Sequence, residues 1–119
     1  MKRLIYIIFL TITPILCAQN NSKQEKTSFK VSGNCEMCKM RIEKAALSVK
    51  GVKYAKWNIP ENQLTLVYNS KKLELIETHN SIAQSGHDTS EIKAPLEIYN
   101  HLPICCLYIR DEKNKAPLK

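Results

Sequence analysis

The spacing of apolar positions beyond residue 26 marks out the elements. Residues 27–32 alternate, with Phe29 and Val31 on one face, and read as a strand. Ile42, Ala45, Ala46 and Val49 then recur on one helical face, with Lys39, Arg41, Glu43, Lys44 and Ser48 opposite. This predicts a helix over 38–50 that Gly51 ends. Ala55, Trp57 and Ile59 alternate inward over 52–59, and Leu64, Leu66 and Tyr68 do so over 63–68. Pro60-Glu61-Asn62 between these runs is turn chemistry and joins them as a hairpin. Leu75, Ile76, Ile82 and Ala83 predict a second helix over 71–85 with Gly86 as its stop, and 88–93 reads as a short, weaker strand. The order β-α-β-β-α-β over 27–94 is a ferredoxin-like α+β sandwich, with two helices on a four-stranded antiparallel sheet. Residues 95–119 form a C-terminal extension, with a short helix over 95–102 begun by Pro95 and ended by Pro103. The charged end, 111–119, reads as frayed.

The N-terminus follows a different pattern. Lys2 and Arg3 precede an apolar run over 4–16, and Ala18 precedes a polar stretch. This reads as a secretory signal peptide over 1–18, followed by a flexible lead-in over 19–26. The run is shorter than the roughly 20 apolar residues a membrane span needs, so no permanent span is expected. Lipid attachment at Cys17 is disfavoured because Leu16, just before it, is not small. Cleavage after Ala18 leaves 101 of the 119 residues and four of the five cysteines, and loss of Lys2 and Arg3 lowers the charge from +7 to +5. The expected location is an exported, periplasm-like space. Only 7% of the chain is aromatic, with one Trp, so no stacking platform for single-stranded nucleic acid is indicated.

The four remaining cysteines fall as two tight pairs, Cys35-x-x-Cys38 and Cys105-Cys106. Neither pair, bridged within itself, would close a loop long enough to stabilise the fold much. Such pairs suit metal binding or redox chemistry. Cys35 and Cys38 sit between the first strand and first helix, where unsatisfied N–H groups and the positive end of the helix favour thiolates. Thiolate pairs select soft ions, Cu(I) first, with Hg(II), Zn(II) or Cd(II) as alternatives.

At these residues the sequence resembles the heavy-metal-associated domain family. Phe29-Lys30-Val31-Ser32-Gly33-Asn34-Cys35-Glu36-Met37-Cys38 is similar to the family's first strand and metal loop. Ile42-Glu43-Lys44-Ala45, Lys50-Gly51-Val52 and the run from Ile82 to Asp88 resemble its first helix, glycine turn and second-helix ending. The resemblance covers about 27–94. It implies 1:1 binding of a soft ion by Cys35 and Cys38, with a metal-transporting ATPase or an efflux component as partner. Gly33 stands where the family has a buried Met, which predicts a looser loop, and His87 stands where many members have Tyr or Lys.

Other readings stay open beside this one. The same pair could serve a periplasmic thiol–disulfide oxidoreductase, although no Trp-Cys-Gly-Pro-like context surrounds it. No Ser-His-Asp order, paired-carboxylate motif or phosphate loop supports another enzyme. His101, Cys105 and Cys106 offer one imidazole and two sulfurs within six residues, either as metal ligands or as a thiol pair packing the tail. His87, in the loop after the second helix, is expected near Cys35 and Cys38. Met37 is expected to point into the core and Met40 toward the surface. Mid-helix His79 reads as packed or solvated rather than a ligand. Lys39, Arg41, Lys44 and Lys50 make the first helix basic, either as a docking face or as a solvated one.

Overall fold

The computed structural model describes residues 23–110. The expected signal peptide over 1–18 and the charged end over 111–119 lie outside these residues. Strand β1 (Gln24–Lys30) is followed by helix α1 (Glu36–Leu47), strands β2 (Val52–Asn58) and β3 (Gln63–Asn69), helix α2 (Leu75–Gln84) and a short helix α3 (Leu96–Asn100). A 3-10 turn, Ile104–Cys106, carries the second cysteine pair. The sheet is antiparallel with order β1-β3-β2, and the register Gln24↔Asn69 shows β1 beginning three residues before the alternation at Thr27. Lys53 is bulged out of the β2–β3 ladder between Val52 and Tyr54.

The alternation and periodicity place the core as expected. Trp57, Leu64 and Leu66 from the sheet meet Cys38, Ile42 and Ala46 of α1 and Ile82 of α2. The two helices pack closely at Ala45, whose carbonyl accepts the Ser81 hydroxyl at 2.8 Å. Ile76, expected on the apolar face of α2, is instead exposed, while Thr78 and His79 are buried.

The four-stranded sheet expected from sequence is not formed: the described residues contain three strands. The expected fourth strand over 88–93 is reduced to one bridge, Val31↔Thr89. Its cause is local. The Thr89 hydroxyl accepts the N–H groups of Glu91 and Ile92 at 3.2 and 3.0 Å, and the Thr89 N–H turns to the Ile92 carbonyl at 2.8 Å. A threonine that closes its own turn in this way competes with the ladder. The second helix also starts later than its pattern. Asn69 accepts the N–H groups of Lys71 and Lys72 and spends the first residues in a turn.

Candidate metal centre

Cys35 is the residue preceding α1, in extended backbone conformation, so its side chain stands at the helix N-terminus. The backbone N–H groups of Cys38 and Met37 favour its thiolate and lower its pKa, against a smaller opposing effect of burial. Cys38 lies one turn into the helix and is fully buried. Its sulfur receives the Asn34 N–H at 3.4 Å and lies 3.6 Å from the Cys35 sulfur. One partner is thus accessible and thiolate-prone, and the other is anchored in the core.

The loop is built tightly, not loosely as Gly33 had suggested. A Cβ at Gly33 would lie 2.9 Å from Trp57 Cη2 and 3.1 Å from Cys38 Cβ. The Trp57 indole occupies the space a larger side chain would need, and its Nε1 donates to the Val31 carbonyl at 3.0 Å. Glu43 of α1 accepts the Trp57 N–H at 2.9 Å and pairs with Lys39, which donates to the Trp57 carbonyl at 3.0 Å. Arg41 donates to the Ser85 carbonyl at 3.1 Å. Lys39 and Arg41 are therefore committed inside the domain, whereas Lys44 of α1 and Lys50, beyond its end, remain exposed.

The tail returns to this loop. Cys35 donates to the Cys105 carbonyl at 3.4 Å, Cys105 lies 3.9 Å from Cys106, and its thiol reaches Met37 Sδ at 3.7 Å. The sulfurs of Cys35, Cys105 and Cys106 all lie within 4.8 Å of one another. Cys106 is buried, and that burial, reinforced by Cys38 beside it, pushes its thiol well above the usual range. Met37, expected in the core, is exposed beside the site, and Met40 is exposed as expected.

The histidines are placed differently. His87 is fully buried with Nδ1 2.9 Å from the Ser32 carbonyl, which fixes a proton on Nδ1. Its Nε2 is buried with no hydrogen-bond partner among the described residues. The loop after α2 therefore reaches the base of the metal loop, but His87 is outside the ligand group formed by Cys35, Cys105 and Cys106. His101 is exposed and turned to the Glu97 carbonyl at 2.7 Å, also outside that group. His79 is packed, with its ring 4.0 Å from that of Phe29 and Nδ1 2.8 Å from the Thr89 hydroxyl. The approach of Cys105 to Met37 was not legible in the sequence, because it depends on where the tail docks.

The chain is 33% identical over 60 residues to the copper chaperone CopZ of Staphylococcus epidermidis, a span of 50% of this chain and 88% of that one. A solved CopZ metallochaperone superimposes with a TM-score of 0.53 at 26% identity, covering 55% of this chain and 98% of its own. The N-terminal domain of a potential copper-translocating P-type ATPase from Bacillus subtilis, solved in the Cu(I)-loaded state, gives a TM-score of 0.53 at 28% identity, covering 56% and 84%. No protein-family model matches the chain.

Proposed function

The chain belongs to the heavy-metal-associated domain family, and from that premise we propose that it binds Cu(I) through Cys35 and Cys38 and sequesters or transfers it. The observation that carries this reading is the pair itself: two sulfurs 3.6 Å apart at a helix N-terminus. The Cys35 thiolate is favoured and accessible, so it meets the ion first. Cys38 then closes the chelate from a position fixed by core packing. Transfer runs by stepwise exchange, in which a partner thiolate adds before Cys35 leaves. Hg(II), Zn(II) and Cd(II) suit the same donors. The relatives named above are a metal chaperone and an ATPase domain, which supports a metal-transporting ATPase or efflux component as partner and a non-enzymatic role. The basic and apolar N-terminal residues support export to a periplasm-like space. No helix among the described residues is long and apolar enough to cross a membrane.

One observation favours a redox reading: the accessible, thiolate-prone Cys35 beside a buried Cys38 also matches an attacking and resolving pair. Insulin reduction by the metal-free protein separates the two. The metal-binding reading expects no turnover, together with Cu(I) that stays with the protein through anaerobic gel filtration. Sustained turnover without Cu(I) retention would overturn it.

A further inference from the structure

The two-cysteine reading leaves Cys105 and Cys106 without a role, yet the tail that carries them is built into the fold. Leu102 packs against Gly86 so closely that a Cβ there would lie 2.7 Å from Leu102 Cδ2. The buried Tyr108 hydroxyl donates to the Gly86 carbonyl and accepts the Asp88 N–H, both at 2.9 Å. Arg110 grips the Asp88 carboxylate through two nitrogens at 2.9 and 2.6 Å and lies over the Tyr99 ring. None of these contacts needs a thiol. Cys106 is buried and could serve as a small apolar filler. Cys105 is exposed and fills nothing, yet its sulfur sits among Cys35, Cys106 and Met37.

The sulfur separations distinguish the coordination the site can offer. With metal–sulfur bonds of about 2.3 Å, a linear two-sulfur bridge needs sulfurs about 4.6 Å apart, whereas a tetrahedron has edges of about 3.8 Å. Cys35 and Cys38 stand 3.6 Å apart, and Cys105 and Cys106 stand 3.9 Å apart. Cys35 is within 4.8 Å of both tail sulfurs, whereas Cys38, 3.6 Å from Cys35, stands outside that group, so a four-sulfur shell requires Cys38 and the tail sulfurs to draw together around the ion. We propose that Cys105 and Cys106 join Cys35 and Cys38 in a four-thiolate site that encloses one soft d10 ion. This rests on the reading of Cys35 and Cys38 as ligands. The tail then closes an otherwise open loop, so an incoming thiolate must displace the tail sulfurs as well, and the chain holds its ion rather than passing it on quickly.

The probe is Cd(II) alone, added to the full, reduced chain without oxygen. X-ray absorption should count four sulfurs per ion in a species of one chain per ion. The ultraviolet sulfur-to-metal band per ion should fall by half in Cys105→Ser/Cys106→Ser. Two sulfurs in the parent, or four in a species of two chains per ion, would overturn the tail's role and leave the Cys35–Cys38 reading standing. Unchanged Cd(II) binding in Cys35→Ser/Cys38→Ser, or no binding in the parent, would overturn both. If the tail variant fails to fold, the sulfur count of the parent decides alone.

Discussion

Gly33 and Trp57 show how a departure at one residue is answered at another. The sequence marks Gly33 as missing a side chain that the family buries, but nothing in the spacing connects it to Trp57 across 24 positions of chain. In the structure the indole takes that volume, and the loop stays packed against Cys38. Even one added methyl must therefore move the ring or the Cys38 backbone. Overpacking of this kind costs about 1–3 kcal/mol. Gly33→Ala should lower stability by that amount in urea unfolding with m unchanged, whereas a variant as stable as the parent would mean the loop has slack. The placement of the CxxC pair at the start of the first helix was legible, since it depends only on local spacing. The placement of His87 was half legible: its loop reaches the metal loop, but the Ser32 carbonyl takes the ring nitrogen.

At the scale of elements, β1, α1, β2, β3 and α2 were legible because each has one face buried and one solvated, which writes a period into the sequence. The fourth strand was not. Its pattern was weak, and Thr89 satisfies the neighbouring N–H groups by itself. The docking of the tail was not legible either, because it rests on contacts between distant residues. Tyr108 is the centre of those contacts, holding the loop after α2 through Gly86 and Asp88. Removing its hydroxyl leaves a buried N–H and a carbonyl unmatched, at a cost of about 1–3 kcal/mol. Tyr108→Phe should lower the melting temperature and raise hydrogen exchange at the Asp88 amide. A variant with parent-like exchange there would show that the tail is not held by this hydroxyl.

For the whole molecule, two buried histidines make stability depend on pH. Burial lowers the pKa of both His79 and His87 from 6.5. Glu91 opposes the shift at His79, and at His87 the Ser32 carbonyl and Asp88 oppose it while Arg41 adds to it. The unfolded chain therefore takes up protons first as the pH falls through 6.5, and the folded state loses stability from there down to the lowered values. The melting temperature should be lower at pH 5.5 than at pH 7.5, with a smaller drop in His79→Gln/His87→Gln. An equal or higher melting temperature at pH 5.5 in the parent would contradict this. Cu(I) binding should weaken in the same direction, because protons compete for the thiolates.

If Cys35 and Cys38 hold the ion, their removal takes away the protein's ability to capture Cu(I). Anaerobic competition against a Cu(I) chelator compares the reduced parent with Cys35→Ser/Cys38→Ser, with circular dichroism confirming that both are folded. The parent should withdraw Cu(I) from the chelator and the double variant should leave it there. A double variant that competes as strongly as the parent would contradict the assignment.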